Sequence, residues 1–162
     1  MYRRILVPTD GTELCSPALA TALELAKLGG ASILGFHAGP PDRLGPLAED
    51  DVVRAAWLAE RQQAGADALA WIARRAAEAG VPCETLLVHH DSPAAAIVET
   101  ARERACDLIV MASHGRSGLG ANLRARLLGS ETWKVLTLCA IPVLVVRGPL
   151  NATPNGTHGA AP

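Results

Sequence analysis

Glycine, serine and arginine residues are concentrated in one stretch of the chain, MASHGRSGLGANLRARLLGS, which runs from Met111 to Ser130. Glycines let a backbone approach an anion closely because they carry no side chain, and hydroxyl and guanidinium groups donate hydrogen bonds to phosphate oxygens. The glycines are Gly115, Gly118, Gly120 and Gly129, and the donors are Ser113, Ser130, Arg116, Arg124 and Arg126. The stretch is a candidate phosphate cradle, although a surface loop with solvated arginines has the same composition.

A helix is expected directly after this stretch, with Ser130 as its N-cap residue. The first N–H groups of a helix have no partner within the helix, and the helix dipole favours negative charge at that end. An anion held by the glycines would therefore meet further N–H donors where this helix begins.

Asp10 directly follows the first predicted strand. Its carboxylate would repel a phosphate, so a ligand role points to ribose hydroxyls, to an adenine amine or to a bound cation. The alternative is structural, since an aspartate before Gly11 and Thr12 favours an Asx-turn. The sequence leaves both interpretations open.

Histidines supply a second set of candidate groups. His89, His90 and Asp91 have the composition of a catalytic site, but no serine or cysteine nucleophile is recognisable beside them. The pair of histidines is better interpreted as the end of a strand, with one ring on each face. His114 lies among the glycines, where its ring could contact a phosphate.

Several known motifs are absent from the sequence. There is no G-x-x-x-x-G-K-[ST] loop, no G-x-S-x-G elbow and no G-x-G-x-x-G after the first strand. No H-x-x-x-H or C-x-x-C spacing indicates a metal site. A general base aimed at a water molecule is not identifiable, so fast hydrolysis of a nucleotide is not expected.

The net charge of the 162-residue chain is −1, which gives no overall attraction to nucleic acid or to anionic lipid. No run approaches the roughly 18 apolar residues that span a membrane, and the first apolar run is too short for a signal peptide. The four cysteines form no C-x-x-C pair, so we expect reduced thiols in a cytoplasmic protein. Cys15 precedes a helix start, where the dipole is expected to lower its pKa.

Strand and helix patterns alternate along the whole chain, which predicts a doubly wound α/β fold with an open parallel five-stranded sheet and helices on both faces. Ser16–Pro17 and Ser92–Pro93 predict helix starts with serine as the N-cap. Trp57 and Trp71 are expected on one face of the second helix as packing anchors. Strands are predicted at residues 2–8, 31–38, 83–90, 106–113 and 141–147, and helices at 18–28, 52–79, 94–105 and 131–140.

These elements place the candidate residues at one edge of the sheet. In open α/β sheets, ligands bind outside the carboxyl ends of the strands, at the point where the strand order reverses. The loops that follow the first four strands begin at this edge, so the glycine-rich stretch and Asp10 are expected to lie close together. Residues 1–147 are predicted to form one domain, and residues 148–162, without apolar periodicity, a disordered tail.

Four segments of the chain carry a family resemblance. They are RRILVPTDGTELCSPALATALELAK near the amino terminus, CDLIVMASHGRSGLG and LLGS in and around the glycine-rich stretch, and IPVLVV in the last strand. In this order they resemble the universal stress protein family over residues 1–147. The resemblance implies strand order 3-2-1-4-5, and a subset of that family binds ATP.

The ATP-binding subset has a pattern G-x2-G-x9-G-[ST] after the fourth strand. Gly115 matches its second glycine, Gly129 its third and Ser130 its hydroxyl, whereas Ala112 replaces the first glycine. The segment between the last two glycines has thirteen residues here, which adds about one helical turn to the pattern. Asp10 matches the acidic residue of the family at the end of the first strand, and Ala38 matches a residue that lines the adenine.

The resemblance therefore implies a stress-response protein that binds ATP between the ends of the first and fourth strands, with Mg²⁺ as a further candidate ligand at Asp10. A sensing or regulatory role, with an unidentified protein partner, is expected. The nucleotide-binding residues are predicted to be Pro8, Thr9, Asp10, Ala38, Ala112, Ser113, His114, Gly115, Arg116, Gly118, Gly129, Ser130 and Glu131. The alternatives are a nucleotide-free interaction module, or a slow ATPase that uses His114 or His89.

A homodimer through the last strand, residues 142–147, is also implied by the resemblance. The residues support it independently, because this strand is expected at the edge of the sheet and carries four consecutive apolar side chains. An open apolar edge invites pairing with a second copy of the chain.

Overall fold

The computed structural model describes residues 1–41, 51–113 and 129–147. Within these ranges five strands alternate with four helices, and a short 3-10 turn, Glu13–Cys15, precedes the first helix. The strands are β1 (Arg4–Pro8), β2 (Ser32–Gly39), β3 (Cys83–His89), β4 (Leu108–Ala112) and β5 (Val143–Val146). The helices are α1 (Ser16–Gly29), α2 (Asp51–Glu78), α3 (Pro93–Glu103) and α4 (Ser130–Leu138). The predicted tail, residues 148–162, lies outside the described residues.

The strands form one parallel sheet with the order β3-β2-β1-β4-β5, which confirms the predicted fold. β1 lies at the centre, where Ile5 pairs with Ile33 on one side and with Leu108 on the other. The chain builds β2 and β3 outward from β1 and then returns to place β4 on the opposite side. The strand order therefore reverses between β1 and β4, where an open α/β sheet leaves a crevice for a ligand.

Apolar side chains from both faces of the sheet form two core layers. Ile5 and Val7 of β1 point to the layer beneath α1 and α2, whereas Leu6 points to the layer beneath α3 and α4. This alternation follows from the two-residue period of a strand. Full burial of each such side chain stabilises the fold by roughly 1.5–3 kcal/mol, so the central strand is firmly held from both faces.

The three predicted serine caps have different outcomes. Ser92 caps α3, because its hydroxyl accepts the N–H of Ala95 at 3.4 Å. The prediction for Ser16 is wrong, since the 3-10 turn runs directly into α1 and Cys15 holds the N-cap position without a side-chain bond. The prediction for Ser130 is also wrong, because Gly129 is the N-cap residue and Ser130 is the first residue of α4.

The last strand is less buried than its apolar run predicted. Four of the five residues of β4 are buried, whereas none of the four residues of β5 is. The reason is position, because among the described strands β5 lies at the end of the sheet and pairs with β4 alone. Leu144 remains 37% exposed.

None of the helices in the described ranges has both the length and the apolar character that a membrane crossing requires. The cytoplasmic location expected from the sequence stays a prediction.

Candidate functional site

A cleft of 310 Å³ opens at the carboxyl ends of β1 and β4, between the starts of α3 and α4. This volume is in the range that small-molecule sites use. Most of the predicted binding residues that the structure describes line it. They are Pro8, Thr9, Asp10, Ala38, Ala112, Gly129, Ser130 and Glu131.

Ser113 does not line the cleft, although the sequence predicted it as a binding residue. Its side chain is only 1% exposed, and its N–H donates to the carbonyl of Val146 at 3.0 Å. Its carbonyl accepts the N–H of Gly129 at 2.6 Å, so the end of β4 and the start of α4 lie side by side. The predicted residues His114, Gly115, Arg116, Gly118, Gly120, Arg124 and Arg126 lie outside the described residues.

The end of β1 is fixed to β2 by main-chain contacts at Thr9. The Thr9 N–H donates to the carbonyl of Phe36 at 2.8 Å, and the Thr9 carbonyl lies 2.9 Å from Nδ1 of His37. The Thr9 hydroxyl accepts the N–H of Gly11 at 3.1 Å. The backbone that enters the cleft at Thr9 is therefore held in one position.

Asp10 forms the turn that the sequence offered as the structural alternative, and its carboxylate also borders the cleft. Its Oδ1 accepts the N–H of Thr12 at 3.0 Å, which is the predicted Asx-turn, and the Thr12 hydroxyl at 2.7 Å. The thiol of Cys15 donates to the same oxygen at 3.3 Å. Asp10 also lines the cleft, so three donors orient a carboxylate that a ligand can meet.

The prediction of a lowered pKa at Cys15 is wrong. Burial raises the pKa of the Cys15 thiol, because the thiolate loses its hydration, and this effect outweighs the hydrogen bond from the backbone at Asp10. The thiol lines the cleft but is held as a neutral donor to Asp10. The structure pairs none of the four cysteines in a disulfide, and the reduced state expected from the sequence stays a prediction.

Two side chains connect the start of α4 to its neighbours. The Thr132 hydroxyl donates to the carbonyl of Ala112 at the end of β4, at 3.1 Å. Glu131 accepts the N–H of Ala94 at 3.0 Å through Oε2 and the amine of Lys134 at 2.7 Å through Oε1. The start of α3 therefore already has a carboxylate partner, which leaves the start of α4 as the better place for a ligand anion.

Helix α2 supplies a wall of the cleft that the sequence did not predict. A Cβ atom at Gly65 would lie 2.8 Å from Cδ2 of His37, so only glycine lets the helix lie this close to β2. The close approach brings Arg61 and Ala64 to the cleft. A sequence signal exists, because Arg61 shares one helical face with Gly65, Ala68 and Ile72, all of which are buried.

Of the two histidines named for a slow ATPase, His89 lies away from the cleft and His114 lies outside the described residues. Nδ1 of His89 lies 2.9 Å from the carbonyl of Pro40, and His89 does not line the cleft. Nδ1 of His90 accepts the N–H of Ser92 at 2.9 Å. Among the described residues, no group of three or more His, Cys, Asp and Glu side chains could hold a metal ion.

Comparison with known proteins agrees with this geometry. The chain is 38% identical over 150 residues to a universal stress protein of Thermus aquaticus, a match that covers 91% of this chain and all of that protein. The structure of the protein MJ0577 superposes with a TM-score of 0.78 at 26% identity, and covers 93% of this chain and 99% of that one. A universal stress protein in complex with cAMP superposes with a TM-score of 0.68 at 28% identity, with 90% and 97% covered.

The model of the universal stress protein family matches residues 1–147, which include every described strand and helix. The segments that carried the resemblance lie on β1, α1, β4 and β5, around the reversal point of the sheet. The strand order, the cleft and the relatives lead to one conclusion: this chain belongs to the universal stress protein family.

Proposed function

We propose that this stress protein binds an adenine nucleotide in the cleft at the ends of β1 and β4 and acts as a regulatory protein. The observation that carries the proposal is the convergence of the oriented Asp10 carboxylate and the start of α4 on one cavity of 310 Å³. The related structure that holds cAMP supports it, because it shares this fold at 28% identity.

The chemistry of the lining assigns each part of the ligand to a place. The base suits the part of the cleft formed by Ala38 and the backbone at Thr9. Ala38 is a small apolar residue of β2, and a hydrogen bond to β2 holds Thr9 in place. Asp10 suits ribose hydroxyls, because a carboxylate accepts their hydrogen bonds. Mg²⁺, the further candidate ligand of Asp10, would meet the same carboxylate.

The phosphates belong at the first turn of α4. Gly129 and Ser130 line the cleft there, with the helix dipole favouring an anion. The sequence pattern adds Gly115 as a further phosphate contact and favours ATP as the nucleotide. A segment of thirteen residues between Gly115 and Gly129 is compatible with phosphate binding at α4, because the hydrogen bond to Ser113 holds Gly129 in place.

Calorimetric titration with ATP, AMP and cAMP tests the proposal. Asp10→Asn keeps the size of the side chain and an oxygen for the Asx-turn but removes the charge, so we expect roughly tenfold weaker binding. Asp67→Asn is the matched control, since Asp67 is exposed on α2. If millimolar nucleotide gives neither heat nor a shift in melting temperature, the proposal is wrong.

We also propose a homodimer that forms through β5. The carbonyls of Pro142 and Val146 accept the N–H groups of Ile109 in β4 and of Ser113, which directly follows β4. Successive residues of a strand turn their backbone groups to opposite sides, so those of Val143 and Val145 face the open edge. An unpaired edge with apolar side chains favours pairing with a second copy. A separate regulatory partner has a candidate surface on α4, where Trp133 is 63% exposed and Leu138 is 58% exposed.

A further inference from the structure

We infer that Arg61 and Trp57 of α2 form a stacking wall for the base, and that this wall makes the cleft selective for flat aromatic ligands. The inference rests on the proposed nucleotide function and adds a specificity residue to it. The sequence indicated Trp57 only as a packing anchor, and Arg61 was not among the predicted binding residues.

The pair is one turn of helix apart. The guanidinium carbon of Arg61 lies over the indole ring of Trp57, 5.5 Å from the ring centroid. This is a cation–π contact, which attracts a guanidinium to the face of an aromatic ring. Trp57 is half-buried, whereas Arg61 is exposed, so the indole supports a side chain that would otherwise move freely in solvent.

Arg61 stands between two cavities. It lines the cleft of 310 Å³ and also an adjoining cavity of 350 Å³, whose wall includes Trp57. Ala38, Pro40 and Pro93 line both cavities as well. Ala38 is the residue that suits the base, and Arg61 lines both cavities together with it.

The charges of the lining agree with a role at the base. Among the described residues that line the cleft, Asp10 and Glu131 are acidic and Arg61 supplies the positive charge. The guanidinium that contacts the indole of Trp57 is a planar cation, and such a group can also stack on a second ring. Such stacking on arginine is a usual way for proteins to hold a nucleobase.

The test compares AMP with adenosine, because the two share a base and differ in the phosphate. We expect Arg61→Ala to weaken both ligands by the same factor, roughly fivefold to thirtyfold. Arg61→Lys keeps the charge but not the plane and is expected to weaken both as well. Arg74→Ala is the control, since Arg74 is exposed on the same helix and lines neither cavity.

Tryptophan fluorescence gives an independent readout. AMP is expected to change the emission of the wild-type protein, and Trp57→Phe is expected to remove that change, although Trp71 and Trp133 remain. Circular dichroism of each variant confirms that it is folded, which the exposed position of Arg61 favours.

Three outcomes overturn the inference. Unchanged affinity of Arg61→Ala for both ligands would show that Arg61 does not contact the base. Loss of AMP binding alone would show that Arg61 contacts the phosphate instead. In both cases the wild-type protein still binds AMP, and the proposed function stands. If the wild-type protein binds neither AMP nor adenosine, the inference is overturned, and the proposed function falls with it only when ATP and cAMP also fail to bind.

Discussion

Oε2 of Glu131 accepts the N–H of Ala94 at 3.0 Å, so the first turn of α4 caps the first turn of α3. The carboxylate satisfies a helix N–H that has no partner within α3 and meets the positive end of the helix dipole. Ser92 caps the same helix through the N–H of Ala95. The two helices that border the cleft therefore share one electrostatic contact.

Replacing Glu131 tests this contact. Glu131→Ala removes the cap from α3 and the partner of Lys134, so we expect the free energy of unfolding to fall by about 1–2 kcal/mol. Urea denaturation measures the change, with the exposed Glu24→Ala on α1 as the control. Equal stability of the two variants would show that the contact contributes nothing in solution.

Nucleotide is expected to protect Cys15 from alkylation. The thiol lines the cleft and is 5% exposed, and burial raises its pKa. Labelling by iodoacetamide is therefore expected to be slow at neutral pH, to accelerate as the pH rises above 9 and to slow again when AMP is added.

Cys83 is the internal control for this labelling. It lies on β3, outside the cleft, and burial raises its pKa too. Mass spectrometry of the labelled peptides separates the two thiols. Equal protection of both by AMP would contradict a ligand that sits against Cys15.

The Asp107 carboxylate should make stability depend on acid pH. Its oxygens accept the N–H groups of Arg3 and Arg4 at 2.9–3.1 Å. Burial acts to raise the pKa of Asp107, but the N–H bonds of Arg4 and Arg3 outweigh it and hold the pKa below its ordinary value. A lowered pKa in the folded state stabilises the fold above the pKa of the unfolded chain, and this stabilisation is lost as the pH falls through the folded value.

Asp107→Asn is therefore expected to lower the free energy of unfolding at pH 7 by about 1–2 kcal/mol. The difference from the wild type should shrink as the pH falls from the ordinary aspartate value, about 4, through the lower value of the folded protein. Denaturation curves at a series of pH values measure it, with the exposed Asp67→Asn as the control. A difference that stays constant down to pH 2 would assign the effect to shape and not to charge.

Val145→Pro is expected to convert a dimer into a monomer. Proline removes the N–H that faces the open edge of β5, so a second strand loses a main-chain hydrogen bond there. Val145→Thr keeps the N–H and the branched shape, and it should stay dimeric. Light scattering after size exclusion gives the mass of each, and a wild-type monomer at high concentration would exclude the proposed interface.

The alternation of apolar runs was enough to predict the sheet, its two covered faces and the edge at which the cleft opens. Ser92 was predicted as a cap because its signal is local, and the Asx-turn at Asp10 is local as well. The contact between Glu131 and Ala94 joins residues 37 positions apart, and no sequence pattern marks it. Similarly, the burial of Cys15 depends on a 3-10 turn whose packing only the assembled fold determines.

The hydrogen bond between Gly129 and Ser113 fixes the two points that the connection between β4 and α4 must join. A peptide segment whose two ends are held together can lengthen without displacing the elements that it joins, and doubling its length adds only about 0.6 kcal/mol of closure entropy. Insertions engineered between Ser113 and Gly129 are therefore expected to cost the fold little stability.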